Sequence, residues 1–392
     1  MNMRLASVDI GNDAVKAFLG GVGEENKLYI PNVVAKLESR SIVEMEKNPI
    51  DAIHVEVNSN TLKGGIQKVA VGKLASKQNV NEELTPDTDK SESDQAMILL
   101  LTTLALDAVK NFKPKDNKED DDDDQVIKAR YLLSTGLPMD ETKRGLNKAF
   151  RKKIRDGLHK VKFLDTPVYQ GKTVEISFEN VLVNTEGFAA YIELSENYKD
   201  IVGKTVLIND IGGLSTDSAI ITKDAQVDNE FSDGIKKGVA GALDNIIRKV
   251  YNKHRYTIKS RRDLVEIITS EDPEEKNTIY VAGTSTSIQD IVDEELSTLA
   301  SEEYKLMKSI WRNVPGIRKA YNIGGGSAVL KTYLIDINKE DAKFPFEFPK
   351  IEDSIWMIAR AYFKILTLYC QKKGIDVPKE ALPKAEVAET AK

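Results

Sequence analysis

Apolar and polar residues alternate from the start of the chain. Arg4–Ile10 reads as a strand, Gly11–Asn12 as a turn and Val15–Leu19 as its return. Gly20-Gly21-Val22-Gly23 and Glu24–Asn26 form a second turn before another strand, Leu28–Ala35. The stretch Lys36–Asp94 is polar, with short alternating pieces at His54–Val57 and Lys68–Val71, and predicts a small, mostly extended insertion. Ser91 and Asp94 stand three apart just ahead of the apolar run Gln95–Val109, a capping arrangement that predicts a helix.

Asp116–Asp124 carries seven acids in nine residues, a block that repels itself and reads as a solvated loop. It has neither the alternating spacing nor the turn glycine of a calcium-binding loop. Beyond it the pattern predicts a strand over Ala129–Thr135, a basic helix over Glu141–Leu158, strands at Val161–Phe163 and Thr173–Phe178, and a helix over Thr185–Leu194. A second hairpin follows, with strand Thr205–Asn209, turn Ile211–Ser215 and return Thr216–Thr222. Leu243–Trp311 holds two long helices. Ala320–Ile323, three glycines and Ser327–Lys331 make a strand–turn–helix unit. Ile355, Ile358, Tyr362, Ile365, Leu366 and Tyr369 recur at helical spacing, giving a last helix with one buried face. The tail beyond Gly374, with Pro378, Pro383 and scattered charges, is expected to be disordered.

Composition narrows the class. At 392 residues the chain exceeds what one core usually supports, so two lobes or more are expected. With 56 basic against 62 acidic residues, the net charge of −6 argues against direct nucleic-acid binding. The single cysteine, Cys370, excludes an intrachain disulfide framework and fits a reducing, cytoplasmic setting. His54, His159 and His254 are too far apart for a local zinc pattern. The longest apolar run, Met97–Leu106, is half the length of a membrane-spanning helix, and no charged-then-apolar leader opens the chain.

No Walker-type phosphate loop occurs. Two similar segments do, about two hundred residues apart: Ser7-Val8-Asp9-Ile10-Gly11-Asn12-Asp13-Ala14-Val15-Lys16 and Ile208-Asn209-Asp210-Ile211-Gly212-Gly213-Leu214-Ser215-Thr216-Asp217. Each is an apolar strand, an aspartate, one apolar residue, a glycine turn and a second strand. Glycine permits the close backbone approach that lets successive N–H groups converge on phosphate oxygens. An aspartate at the end of a buried strand is costly without a cation nearby. Asp9 and Asp210 therefore suit a hydrated Mg²⁺, which takes few carboxylates, and Lys16 on the return strand can neutralise phosphate charge. Gly324-Gly325-Gly326-Ser327, between a strand and a helix, lets backbone lie flat on a ligand and leaves helix N–H groups for it.

Taken together, Asp9-Ile10-Gly11-Asn12 with Lys16, Asp210-Ile211-Gly212-Gly213 with Thr216-Asp217, and Tyr321-Asn322-Ile323-Gly324-Gly325-Gly326 resemble the phosphate-1, phosphate-2 and adenosine motifs of the actin/Hsp70/sugar-kinase superfamily. Glu186-Gly187-Phe188-Ala189-Ala190-Tyr191 and Ile358-Ala359-Arg360-Ala361-Tyr362 resemble its two connecting helices. The resemblance covers the chain to about Gly374.

It implies an α/β fold of two lobes, each built on a five-stranded mixed sheet with flanking helices, and a nucleotide in the cleft between them. The first lobe would comprise 1–35, 95–198 and 352–375 with 36–94 inserted. The second would comprise 199–244 and 312–351 with 245–311 inserted, leaving 376–392 as tail. It also implies roles. Asp9 and Asp210 would order the Mg²⁺ shell, largely through water, and Lys16 would contact phosphate. Glu186 would orient the attacking water, with Asp210 as the second catalytic carboxylate. Gly11, Asn12, Gly212, Gly213, Ser215, Thr216, Gly324, Gly325, Gly326 and Ser327 would line the nucleotide, and Gly238 would border the ribose. Asp244 reads as a surface acid within reach of the sugar.

A chaperone of this superfamily needs a domain after the second connecting helix, and only about twenty residues follow. A sugar-kinase-like phosphotransferase is the alternative, with Asp13 or Asp217 as base, but no sugar-pocket motif is evident. Within the actin-like branch, the tail Gly374–Lys392 cannot form an amphipathic membrane face, and the first strand begins too early for an N-terminal anchor. The expectation is a soluble ATPase (or GTPase) most like the plasmid-segregating, ParM-like actins. Its subunits would add head to tail into filaments, and its DNA would be reached through a DNA-bound adaptor protein.

Overall fold

In a computed structural model, the described residues are 3–40, 48–78, 80, 82–83, 88–113 and 126–377. The acidic run 116–124 and most of the tail lie outside them. The chain divides into two compact units, one of Met1–Leu137, Arg144–Thr185 and Ile358–Lys392, the other of Pro138–Lys143 and Glu186–Met357. Both units are α/β with mixed sheets.

The first unit carries a ten-stranded sheet in the order Lys27–Pro31, Ala14–Leu19, Met3–Ile10, Val126–Leu137, Thr173–Thr185, His159–Phe163, Ile53–Ser59, Gln67–Val71, Val33–Lys36 and Glu82–Glu83. The first five are the expected core sheet. The insertion's strands extend it because His159–Phe163 pairs with the core strand Thr173–Thr185 on one side and with Ile53–Ser59 on the other. Met3–Ile10 lies antiparallel to its hairpin partner and parallel to Val126–Leu137, an interior position that buries every residue from Leu5 to Ile10, Ser7 and Asp9 included. The helix Asp94–Asn111 is buried at every position from Gln95 to Ala108, so its sequence is apolar all round rather than striped. Its single deep acid, Asp107, accepts from Arg4 at 2.8 Å and from the Tyr131 hydroxyl at 2.8 Å.

The second unit has a five-stranded sheet in the order Asp233–Ile235, Thr216–Ile221, Thr205–Ile211, Ile317–Ile323, Phe346–Glu347. Helices Val239–His254, Arg261–Thr269, Gln289–Asn313 and Gly325–Glu340 contribute to a single core with it. The last helix, Ile351–Lys373, crosses into the first unit, where the Ala359 carbonyl accepts from the hydroxyl of Ser7 at 2.8 Å.

Several boundaries differ from the sequence reading. Leu28–Ala35 is two strands, because Pro31-Asn32 breaks it and the halves join different parts of the sheet. The helix expected over Glu141–Leu158 is interrupted at Gly145, whose φ of +77° starts a new helix at Leu146. Ser93, not Ser91, caps the buried helix, accepting from the Ala96 N–H at 3.2 Å. The strand beginning at Thr173 runs through a bulge at Phe178/Asn180 to Thr185, which puts Glu186 at the first position of the next helix.

Candidate functional site

In the first unit, antiparallel pairing sets Asp9 directly opposite Lys16. The lysine Nζ is 3.8 Å from Asp9 Oδ2, and both side chains are largely buried. The turn between them closes with the Gly11 N–H donating to Ala14 O at 3.1 Å. A Cβ on Gly11 would stand 2.9 Å from that carbonyl and 3.2 Å from Lys16 Nζ. Glycine is what lets the amine fold over the turn. Asn32, at the strand break, holds the loop from behind. Its backbone N–H donates to Asp13 O at 2.9 Å and its Nδ2 to Gly11 O at 2.7 Å.

In the second unit the hairpin, the glycine run and a helix start converge. Asp210 ends its strand beside Ile323, its partner in the parallel ladder. Gly324 follows at φ +82°, and a Cβ there would meet Asp210 Oδ1 at 2.3 Å and Ile211 O at 2.5 Å. Gly326 packs on Ile211 and Val239. Gly325 faces open space and begins the helix Gly325–Glu340, which has no side-chain cap at Gly324. The hairpin loop closes with Gly212 N–H donating to Ser215 O at 2.9 Å.

Gly238 lies behind that loop. The N–H groups of Val239 and Ala240 donate to the carbonyls of Gly212 and Gly213 at 3.1 and 2.8 Å, and a Cβ on Gly238 would meet Gly213 O at 2.4 Å. That close approach lets a helix end support the hairpin. Two hydroxyls are engaged within the protein. Thr216 is buried, with its Oγ1 2.6 Å from Glu303 Oε1 and 3.3 Å from the Lys237 carbonyl, so it braces the hairpin from inside. Ser327 turns back to donate to Gly324 O at 2.8 Å. Asp244 is held by Arg261 through two 2.7 Å hydrogen bonds, as a surface acid would be.

Glu186 opens the helix Glu186–Asn197, and Gly187 behind it sits so close to Ala219 that a Cβ would come within 2.2 Å of the alanine's own. That contact sets Glu186 against the strand returning from the second hairpin. Sequence reasoning missed Asn32, Gln95 and Glu303. Glu303 belongs to the helix Gln289–Asn313 and is fully buried. Burial pushes its carboxyl up to about 7, against the Thr216 hydrogen bond and with Glu302 adding to the rise, and Oε2 finds no hydrogen-bond partner.

Among the described residues, no three His, Cys, Asp or Glu side chains gather into a metal cage. Asp9 and Asp210 each stand two residues before the glycine that opens their hairpin's turn, near Asp13 and Asp217 respectively. A few carboxylates fit an ion such as Mg²⁺ that keeps most of its water and takes other ligands from phosphate. No described helix is long and apolar enough to cross a membrane.

The model for the N-terminal domain of actin-like proteins matches residues 7–188, and the model for the Alp7A C-terminal domain matches residues 205–344. No curated protein sequence matches. Among solved structures, the chain is similar to Bacillus thuringiensis ParM with ATP, at 23% identity over 95% of this chain and 100% of that one, TM-score 0.69. It is also similar to the subunit of a 15-stranded ParM filament from Clostridium botulinum, at 20% identity over 94% and 100%, TM-score 0.66. An archaeal actin homologue gives 17% over 94% and 100%, TM-score 0.65. With one family model covering each part of the chain and both glycine hairpins built as described, this chain belongs to the actin-like proteins and has the ParM-like fold.

Proposed function

We propose that this actin-like protein binds and hydrolyses ATP (or GTP) with Mg²⁺, polymerises head to tail into nucleotide-dependent filaments, and serves plasmid DNA segregation through a DNA-bound adaptor. The observation that carries the reading is the pair of glycine hairpins, one in each unit, each with an aspartate on the strand before a glycine whose Cβ would fall 2.9 Å from a backbone carbonyl of the turn. The similarity to ParM with ATP, and to a ParM filament, supports the choice of nucleotide and of assembly.

In this reading both hairpins serve one nucleotide. Loop N–H groups at Asn12 and Gly213–Ser215 cradle phosphate oxygens, and Lys16 neutralises their charge. Gly324–Gly326 passes flat against the nucleoside. Asp9 and Asp210 would hold Mg²⁺ through water, and the ion would offset charge on the phosphates. Glu186 orients the attacking water, which phosphoryl transfer needs more than it needs a strong base. Removing the γ-phosphate removes contacts that the hairpin loops make with it, so hydrolysis times the polymer.

The test is sedimentation and light scattering of the purified chain with ATP·Mg²⁺, alongside phosphate release. Polymer above a critical concentration, with phosphate released as it ages, supports the proposal. Absence of assembly at any concentration, or phosphate transfer to added glucose or glycerol, would favour a phosphotransferase instead.

A further inference from the structure

We propose that Asn32 and Gln95 are positioning residues for the first hairpin loop, fixing the peptide planes on which phosphate recognition depends. The inference rests on the nucleotide reading above. Asn32 is 2% exposed and sits between two strands that leave in different directions. Its Nδ2 pulls the Gly11 carbonyl inward at 2.7 Å, and its backbone N–H does the same to the Asp13 carbonyl at 2.9 Å. A trans peptide is planar, with C=O and N–H directed oppositely. Turning the Gly11 and Asp13 carbonyls toward Asn32 therefore turns the N–H groups of Asn12 and Ala14 the other way. Ala14 belongs to the return strand, but Asn12 lies at the turn beside Lys16, where a phosphate would be met.

Gln95 sets Asn32 in turn. Its Nε2 donates to Asn32 Oδ1 at 2.7 Å, with the Asn32 carbonyl at 3.2 Å. A donor to Oδ1 leaves the amide nitrogen facing Gly11, so Gln95 decides which way the Asn32 amide lies. The helix start is itself anchored. Ser93 caps it, and Asp94 accepts from the N–H groups of Lys63 and Gly64 at 3.0 and 2.9 Å. The loop is thus braced by the same helix end that holds a turn of the insertion.

The experiment measures ATP·Mg²⁺ affinity and steady-state phosphate release for the full chain, Asn32→Ala, Gln95→Met and the double variant, with thermal unfolding of each. Losing a well-made hydrogen bond corresponds to about tenfold. Affinity is expected to fall about tenfold in Asn32→Ala and severalfold in Gln95→Met, with KM rising more than kcat falls. The double variant should bind no more weakly than Asn32→Ala, because Gln95 acts through Asn32. Unchanged affinity in both single variants, or losses that multiply in the double, would overturn the inference. If Asn32→Ala does not fold, Gln95→Met decides alone, unchanged affinity counting against. An unsubstituted chain that binds no nucleotide would bring down the proposed function and this inference together.

Discussion

The carboxyl of Glu303 stands 2.6 Å from the Thr216 hydroxyl, fully buried beneath the second hairpin. Burial pushes it up to about 7 from an ordinary value of 4.5. The folded state therefore holds this proton more tightly than the unfolded chain. Its contribution to stability is complete below about pH 4.5, declines as pH rises toward 7 and is gone above it. The whole effect is on the order of 3 kcal/mol. Glu303→Gln keeps the side-chain length and a hydrogen bond to Thr216 but never ionises. Thermal unfolding from pH 5 to 8 should show the unsubstituted chain losing several degrees relative to the variant. Parallel pH profiles would mean that Glu303 does not titrate as argued.

Both hairpins were legible because their signals are local: an acid closing an apolar strand, a glycine, and a return strand within ten residues. The five-stranded cores were implied by the superfamily resemblance those motifs carry. What stayed hidden is held by long-range contacts. Asn32 meets Gln95 63 residues away, inside a stretch that reads as one continuous strand. Glu303 meets Thr216 87 residues away, in a helix whose pattern gives no hint that one of its acids is interior. Gly238 was seen as important, but only packing reveals that it carries a loop. The extension of the first sheet to ten strands likewise depended on His159–Phe163, which looked like an isolated short strand.

The contrast between adjacent glycines gives a sharper test of the second hairpin. Gly324 has φ +82°, and a methyl group there would drive into Asp210 and the Ile211 carbonyl. Gly325 faces nothing within 4 Å. Gly324→Ala should cost roughly 1–3 kcal/mol from backbone conformation and displacement of Asp210, and abolish binding of a fluorescent ATP analogue. Gly325→Ala should unfold within about 0.5 kcal/mol of the unsubstituted chain yet bind nucleotide more weakly, because its open space is where the proposed nucleotide would lie. Equal affinities in the two variants would separate the glycine run from binding.

Lys16 and Asp9 make the corresponding test of the first hairpin. Lys16→Met leaves the buried Asp9 carboxylate without the amine 3.8 Å away, and should lower both stability and nucleotide affinity. Adding Asp9→Asn removes the stranded charge. The double variant is expected to regain stability, while its affinity stays at least about tenfold below that of the unsubstituted chain, since neither the phosphate-facing cation nor the carboxylate returns. Calorimetric unfolding and nucleotide titration on the same three proteins separate the two effects. Affinity restored along with stability would show that the pair is structural.

Glu186 occupies the first turn of its helix, where a carboxylate gains from the helix dipole without any catalytic duty. A substitution has to distinguish that gain from a role with water. Glu186→Gln keeps size and hydrogen-bonding capacity and gives up only the charge and the ability to accept a proton. The packing of Gly187 on Ala219 is untouched, so the helix should stay against the hairpin's return strand. Nucleotide affinity is expected to remain within about threefold, whereas phosphate release should fall by about a hundredfold or more, the usual reach of a positioned acid–base group. Polymers formed with ATP should then persist, because the contacts removed by hydrolysis remain in place. Phosphate release at the unsubstituted rate, with a modest drop in melting temperature, would return Glu186 to a purely helix-stabilising role.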